Sequence, residues 1–255
     1  MFRLIRIVIL LIVLVVVGGG AWLTKLRTTA WERPLRVTVF PINGDGSPGT
    51  AEYIQRLQPN TFRPIDAFMQ EQGARYKLSL STPVELSLAP EIYRIPPRPP
   101  FGGNPVQIIL WSLQMRYWAW VNAEYTGPKP DVRMIVLYYN PDNVTSVEHS
   151  LGLQKGLIGV VHAFASDDQA AQNNVIIAHE MLHTVGATDK YDPGTNQPLF
   201  PNGYAEPYRQ PLLPQTFAEI MGGRVPVTMN DAQMPADLEH VVIGPATAHE
   251  INWNK

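Results

Sequence analysis

The feature that most constrains this chain is the pentapeptide His-Glu-Met-Leu-His at positions 179–183, which continues an apolar run at 175–178. Asn173 and Asn174 precede the run, and an asparagine can cap a helix by accepting a hydrogen bond from an unpaired backbone N–H. The pattern therefore predicts a helix that begins at these asparagines. Histidines four residues apart lie on one face of such a helix, where both imidazoles can bind the same metal ion.

The residues after the second histidine are those that a metal site needs. Gly186 permits the left-handed turn that ends a helix, and the turn lets Asp189 fold back as a third ligand. Glu180 is offset by one position, so it flanks the ion and can accept a proton from water. Three protein ligands and one open position are typical of catalytic zinc. Alternatively, a more distant glutamate supplies the third ligand, for which Glu206 and Glu219 are available.

This pattern resembles H-E-x-x-H-x-x-G-x-x-H/D, the zinc signature of the metzincin metalloproteases. Its defined positions are occupied by His179, Glu180, His183, Gly186 and Asp189. Most metzincins have histidine as the third ligand, so the chain is similar to the aspartate-type minority such as the snapalysins. An anionic ligand makes the metal a weaker Lewis acid. The resemblance implies one catalytic Zn²⁺ held by the two histidines and the aspartate.

A second element of the resemblance is Met221, in the segment Glu-Ile-Met-Gly-Gly at 219–223. Metzincins have a Met-turn after the signature, in which a methionine forms an apolar floor beneath the metal. The resemblance also implies an irregular lower subdomain whose tyrosines can donate a hydrogen bond to the reacting carbonyl oxygen. Tyr191 is the first candidate for this donor, followed by Tyr204 and Tyr208.

The fold implied by the resemblance is an α+β, zincin-like catalytic domain. It would contain a twisted mixed sheet with an antiparallel edge strand, packed helices and an irregular C-terminal subdomain. We expect the segment 156–164 to be that edge strand and to pair with an extended substrate through Val160, Val161 and His162. The other interpretation of His162 is a partly buried histidine with a structural hydrogen bond.

Hydrophobic patterning predicts the remaining elements. The predicted strands are at 35–40, 76–88 (a strand or hairpin) and 131–139, and the predicted helices are at 50–57, 64–72, 106–122, 235–242 and 245–253. The proline-rich segment 89–105 is predicted to be a surface loop, with a ligand for a proline-recognising partner as the alternative. The tryptophans and tyrosine of the helix at 106–122 are predicted to be core.

The N-terminus predicts a membrane anchor. Residues 7–23 are an uninterrupted apolar and glycine run of about seventeen residues, the lower limit for crossing a bilayer. We predict that residues 1–27 stay uncleaved, with the short arginine-bearing tail in the cytoplasm and the remainder periplasmic or extracellular. In the alternative, Gly18–Ala21 is a signal-peptide cleavage site and the protein is secreted.

The amino-acid composition limits the kinds of partner and of metal site that we expect. A formal net charge of −2 without basic runs argues against a nucleic-acid partner. The chain has no cysteine, which excludes a disulfide framework and a thiolate metal site. Asp167 and Asp168 are candidates for binding Ca²⁺, although two adjacent acids are more typical of a solvated loop.

The predicted organisation is an anchor, a tether at 28–34, and one metalloprotease domain at 35–255 with an upper subdomain to about 186 and a lower one at 187–255. The predicted function is zinc-dependent hydrolysis of a peptide or protein substrate, with Glu180 as general base and then acid. The alternative is a membrane-anchored binding or scaffold protein on a zincin frame without hydrolytic activity. A third interpretation leaves His179 and His183 as core histidines with hydrogen-bond partners.

Overall fold

The computed structural model describes residue 6 and residues 27–100, 102–147, 150–153 and 157–254. These residues form a mixed α+β fold around a five-stranded sheet of spatial order β2-β1-β3-β5-β4. Its strands are β1 (Leu35–Asn43), β2 (Val84–Leu88), β3 (Val132–Tyr139), β4 (Leu151–Leu153) and β5 (Ile158–Phe164). Strands β2, β1, β3 and β5 are mutually parallel, and β4 runs antiparallel to β5. The predicted α+β class and mixed sheet are confirmed.

The predicted anchor at 7–23 lies outside the described residues. Among the helices that the structure does describe, none is both long and apolar enough to cross a membrane.

Helices pack on both faces of the sheet. They are α1 (Pro48–Arg56), α2 (Arg63–Arg75), α3 (Pro105–Asn122), α4 (Ala170–Val185) and the short α5 (Pro245–Glu250). Successive strand residues point to opposite faces, so β3 contributes Val136 to the core beneath α1, α2 and α4, and Leu137 to the core beneath α3. The sheet therefore separates α3 from the histidine-bearing helix α4.

Within the described residues, the chain after Gly186 has only short regular elements. Two small sheets pair β6 (Ala218–Glu219) with β9 (Val241–Val242), and β7 (Val225–Pro226) with β8 (Ala232–Gln233). Buried apolar side chains from this region, including Ile220 and Ile251, join the same core as α2 and α4.

The segment 28–34, predicted as a tether, packs against the C-terminal end of the chain. Trp31 is buried, its ring centroid lies 5.4 Å from that of Trp253, and its indole N–H donates to the Ile251 carbonyl at 2.6 Å. Arg33 forms two 2.7 Å hydrogen bonds with Asp131, the residue before β3. These contacts fix the entry of the chain at the edge of the sheet where β1 and β3 begin.

Helix α4 begins earlier than its asparagines predicted. It starts at Ala170, and the side chains of Asn173 and Asn174 serve tertiary contacts instead of capping. Asn173 exchanges hydrogen bonds with the backbone of Phe164 in β5, and Asn174 donates to the Thr61 carbonyl at 2.9 Å. The prediction for the other end is confirmed: Gly186 has φ 115°, a left-handed conformation that costs glycine little.

Three other element predictions were wrong in part. Only 84–88 of the predicted strand at 76–88 is a strand, because Tyr76 ends α2 and Lys77 follows with φ 57°. The predicted helix at 235–242 is a single 3₁₀ turn (Leu238–His240) followed by β9, since Val241 and Val242 pair with β6. The last helix ends at Glu250, three residues before the predicted end.

Candidate functional site

Three side-chain atoms converge at the C-terminal end of α4. The distances between His179 Nε2, His183 Nε2 and Asp189 Oδ1 are all 3.1 Å. The histidines lie one turn apart on α4, and the reversal at Gly186 returns the chain so that Asp189 faces both rings. Ligand atoms around a tetrahedral zinc with bonds of about 2.0–2.1 Å would lie about 3.3 Å apart, so this donor set matches zinc in size.

The hydrogen bonds on the far side of each ring determine what the converging atoms can do. His179 Nδ1 lies 2.8 Å from the Ile220 carbonyl oxygen, and His183 Nδ1 lies 2.9 Å from that of Ala187. A carbonyl oxygen only accepts, so each Nδ1 must carry the hydrogen, and Nε2 of the neutral ring is then an acceptor. While both rings are neutral, two lone pairs and a carboxylate oxygen therefore face one another without a donor, an arrangement that a bound cation or a proton on one ring satisfies.

The charge state of Asp189 agrees with this picture. Burial favours its neutral form, but hydrogen bonds with His179 and His183 outweigh burial and hold the pKa of Asp189 well below its ordinary value. Burial likewise favours neutral His179, but the bond to Asp189 and the nearby charge of Glu180 raise the pKa of His179. Asp189 is therefore an ionised carboxylate directed at the two imidazoles.

A network behind Asp189 holds it in position. The carboxylate of Glu250 accepts hydrogen bonds from the Thr188 backbone N–H at 2.9 Å, the Thr188 hydroxyl at 2.6 Å and the Lys190 ammonium at 2.7 Å. Lys190 is buried. The residues on both sides of Asp189 are thus attached to α5. Sequence analysis missed Glu250 and Lys190, because Glu250 is sixty residues away and has no pattern around it.

Glu180 has the position expected of a base. It is buried, and its Oε2 atom has no hydrogen-bond partner within the described part of the chain. A carboxylate oxygen of Glu180 and a ring nitrogen of each of His179 and His183 all lie within 4.8 Å of one another. Burial raises the pKa of Glu180. Glu180 could itself be a ligand on distance alone, but Asp189 Oδ1 lies 3.1 Å from the Nε2 atom of each histidine.

Neither glutamate considered as a third ligand belongs to the histidine cluster. Glu206 accepts from Arg209 at 3.0 Å and from the Thr216 backbone N–H at 2.8 Å. Glu219 is fully buried and accepts four hydrogen bonds. Their donors are Met221 N–H at 2.7 Å, Gly222 N–H at 2.8 Å, Gly244 N–H at 3.0 Å and the Thr247 hydroxyl at 2.6 Å. Both carboxylates are structural.

The bonds of Glu219 shape the turn at 219–223, the segment compared with a Met-turn. The carbonyl of Ile220 in this turn accepts from His179, and the carbonyl of Met221 accepts from the Lys190 backbone N–H at 2.8 Å. Met221 is fully buried. The turn therefore connects one histidine of the cluster to the segment that carries the aspartate.

A cleft of about 300 Å³ opens beside the cluster. Its walls include Glu180, His179, Tyr191 and Arg224, and apolar side chains from Val175, Ile176, Ile220 and Met234. The ring of Tyr191 lies 6.3 Å from that of His179. Burial, with the charges of Asp189 and Glu180, raises the pKa of Tyr191.

The other two candidate tyrosines lie elsewhere. Tyr204 is buried against Phe200, with ring centroids 5.4 Å apart, and Tyr208 is 93% exposed. Neither lines the cleft. Tyr191 is thus the candidate tyrosine that the fold brings to the histidines.

The prediction that 156–164 is the antiparallel edge strand was wrong. Val160, Val161 and His162 lie on β5, which is parallel to β3 and is followed in the sheet by β4. His162 is buried, and its Nδ1 lies 3.0 Å from the hydroxyl of Tyr139. The antiparallel strand β4 (Leu-Gly-Leu) was not predicted because three residues are too short to show a pattern.

Strand β4 lies against the histidine helix. A Cβ atom added to Gly152 would fall 2.3 Å from His183 Cβ and 2.6 Å from the Glu180 carbonyl oxygen. Only glycine allows this approach. In the described part of the chain, no strand pairs with the outer side of β4.

The candidate calcium residues are not part of a cluster. Asp167 and Asp168 lie in a 3₁₀ turn, and Asp167 forms an exposed ion pair with Arg56 at 3.5 Å. Among the described residues, the histidines and acids close enough to share a metal lie around His179 and His183, and neither Asp167 nor Asp168 is one of them. Calcium binding stays a prediction.

The chain matches no protein-family model, and no curated protein matches it either. The geometry of the cluster and cleft is therefore the basis for inferring function.

Proposed function

We propose that the chain is a zinc-dependent endopeptidase of metzincin type, in which His179, His183 and Asp189 hold one zinc ion. The observation that carries this proposal is the convergence of His179 Nε2, His183 Nε2 and Asp189 Oδ1, each 3.1 Å from the other two, while both Nδ1 atoms face backbone carbonyls. The left-handed turn at Gly186 and the antiparallel strand β4 beside α4 agree with what the metzincin resemblance predicts.

Glu180 is the proposed general base and acid. A zinc ion supplies Lewis acidity, which polarises a peptide carbonyl and makes water nucleophilic near neutral pH. The Glu180 carboxylate accepts one proton as the water oxygen bonds to the carbonyl carbon. Glu180 then delivers that proton to the departing amine nitrogen as the C–N bond breaks. Its buried Oε2 is available for this transfer because no protein donor occupies it in the described part of the chain.

Two further groups support an extended peptide as substrate. The outer side of β4 offers backbone groups that can pair with an extended chain directly beside His183. The Tyr191 hydroxyl can donate a hydrogen bond to the oxygen on which negative charge develops. The apolar walls of the cleft suit an apolar substrate side chain.

We further propose that residues 7–23 anchor the enzyme in a membrane, with the catalytic domain outside the cytoplasm. The support is the length and uninterrupted apolar character of that run. If the segment is cleaved instead, the same domain is secreted.

Hydrolysis of a broad peptide pool by the purified, zinc-loaded full chain tests the enzyme proposal. Glu180→Gln should lower the rate by about 10²–10⁴-fold, because it removes the proton acceptor and leaves every hydrogen bond in the cluster. Glu52→Gln, an exposed change on α1, is the matched control and should keep the wild-type rate.

Two outcomes would contradict the proposal. Hydrolysis that survives Glu180→Gln at the wild-type rate would exclude Glu180 as the base. A zinc-loaded wild type that cleaves nothing in the pool would favour the binding or scaffold alternative.

A further inference from the structure

Helix α3 has two apolar faces. One packs on the sheet through Trp111, Met115 and Ala119, which are at most 7% exposed. The opposite face carries a stripe of exposed apolar residues at successive spacings of four, three, four and three. They are Val106 (63% exposed), Leu110 (61%), Leu113 (54%), Tyr117 (67%) and Trp120 (75%). A surface helix normally has polar residues on the face away from the core.

This finding corrects the prediction that the aromatic residues of the helix are core. Trp111 is buried, but Tyr117 and Trp120 face outward and contact each other with ring centroids 6.1 Å apart. Tyr93 and Ile95, in the preceding loop, are also exposed, at 87% and 50%. Contiguous exposed apolar surface of this kind indicates contact with a partner or a membrane.

The charges of α3 favour a lipid surface. The helix contains no acidic residue, and its single charged residue is Arg116. Tryptophan and tyrosine, the two aromatic types on the outer stripe, are enriched where a bilayer meets water, because each combines an apolar ring with a polar group. A helix of this composition suits the plane of the interface.

The C-terminal end of α3 and the entry of the N-terminal segment lie at the same end of the sheet, although Trp31 packs in the core on the opposite face, with α2 and α4. Helix α3 connects β2 to the parallel strand β3, so it is antiparallel to these strands. Its C-terminal end therefore lies at the end of the sheet where β1 and β3 begin. The N-terminal segment enters the fold at that end, through Trp31 and the Arg33–Asp131 pair. Leu23, the end of the apolar run, precedes the buried Trp31 by eight positions, a distance of at most about 28 Å along the chain.

We propose that the outer face of α3 rests in the interfacial layer of the membrane that holds the N-terminal anchor. The inference rests on the proposed anchor and is independent of the zinc chemistry. The short connection keeps this face at high effective concentration near the bilayer, so even weak apolar contacts with lipid are formed. Since the sheet separates α3 from α4, the cleft stays open to substrate while α3 contacts lipid.

The absence of cysteine makes a direct test practical. Single substitutions Leu110→Cys and Tyr117→Cys place a polarity-sensitive dye on the stripe, and Met229→Cys places it at a control site that is 74% exposed. The labelled full chain is reconstituted into protein-free phospholipid vesicles containing spin-labelled lipid. We expect blue-shifted emission and lipid quenching at positions 110 and 117, and neither at 229.

Each other outcome overturns the proposal. Equal quenching at all three positions, or none, would show that α3 does not contact lipid. Blue-shifted emission that grows with the protein-to-lipid ratio, without lipid quenching, would assign the face to contact with a second copy of the chain. Blue-shifted emission that occurs only in native membranes would assign the face to contact with another protein. Unchanged thermal midpoints verify that the variants fold. An intact mass lacking the N-terminal segment would refute the anchor, whereas loss of hydrolysis would bear only on the enzyme proposal.

Discussion

Glu180 in α4 and Glu219 in the turn at 219–223 are both buried glutamates, and burial raises the pKa of both. Their hydrogen bonds differ completely. Glu219 accepts four, two on each carboxylate oxygen. Glu180 Oε2 has none in the described part of the chain, and Glu180 lines the cleft. Burial and the direction of the pKa shift therefore do not distinguish a structural acid from a catalytic candidate here, whereas hydrogen bonding does.

The hydrogen bonds of Glu219 also show how the turn at 219–223 supports the histidine cluster. Glu219 fixes the backbone of a turn whose Ile220 carbonyl orients His179. A carboxylate that organises four donors stabilises the fold, and one left without donors remains available for proton transfer. Changing each glutamate in turn should separate stability from activity.

The largest effect on stability is expected for Glu219→Gln. Glutamine replaces one acceptor oxygen by an NH₂ group, which would face donors already directed at that position. We expect the free energy of unfolding to fall by about 3 kcal/mol or more, because at least one buried donor loses its partner and two donors are forced together. Glu180→Gln should leave the free energy of unfolding within about 0.5 kcal/mol of wild type.

Denaturant titration of both variants measures this contrast, with Glu52→Gln as the control. The comparison fails if Glu180→Gln is the more destabilising of the two, or if Glu219→Gln unfolds with the wild-type midpoint.

A smaller effect is expected for Tyr191→Phe. The change removes only the hydroxyl of a side chain that lines the cleft, and loss of one donor to developing negative charge should lower kcat by about 10²-fold with KM little changed. Tyr208→Phe removes a hydroxyl from a side chain that is 93% exposed and should leave kcat at the wild-type value. Steady-state kinetics on one peptide substrate would decide. Equal kcat values for the two variants would remove Tyr191 from the site.

In its hydrogen bonding, Asp66 on α2 is intermediate between Glu219 and Glu180. It is half-buried and accepts a hydrogen bond from the Leu86 N–H at 2.9 Å. Burial raises the pKa of Asp66 to about 6. The folded state therefore holds a proton that the unfolded state releases near pH 4, so stability falls as pH rises from about 4 to 6. Asp66→Asn should stabilise the protein at pH 8 by about 1 kcal/mol, after allowance for solvent screening, and this gain should vanish near pH 4.

Denaturant midpoints of wild type and Asp66→Asn between pH 4 and 8 test this expectation. A constant difference across that range would show that the carboxyl is not perturbed by burial.

Patterns among residues close in sequence were enough to predict part of the candidate site. The spacing of His179 and His183 placed both rings on one helix face, and Gly186 predicted the end of that helix. The return of Asp189 followed from the same turn. These inferences needed only residues within about ten positions of one another.

The parts that were missed depend on contacts distant in sequence. Glu250 reaches back to Thr188 and Lys190, and Gly152 of the three-residue strand β4 packs against His183. Asn173 was predicted to cap α4 but instead bonds to Phe164, because the approach of β5 provides backbone partners. The exposed stripe of α3 was mistaken for core because apolar character alone does not distinguish the face toward the sheet from the face toward the surroundings.

Zinc affinity, measured by competition with a chelator and by elemental analysis, shows whether His179, His183 and Asp189 hold a metal ion. The comparison needs wild type, Asp189→Ala and Glu180→Gln. We predict about one zinc per chain in wild type, retained in Glu180→Gln, and an affinity loss in Asp189→Ala beyond the roughly 100-fold that outer-shell changes cause. Wild type without zinc, or zinc that is lost from Glu180→Gln and kept by Asp189→Ala, would contradict the account.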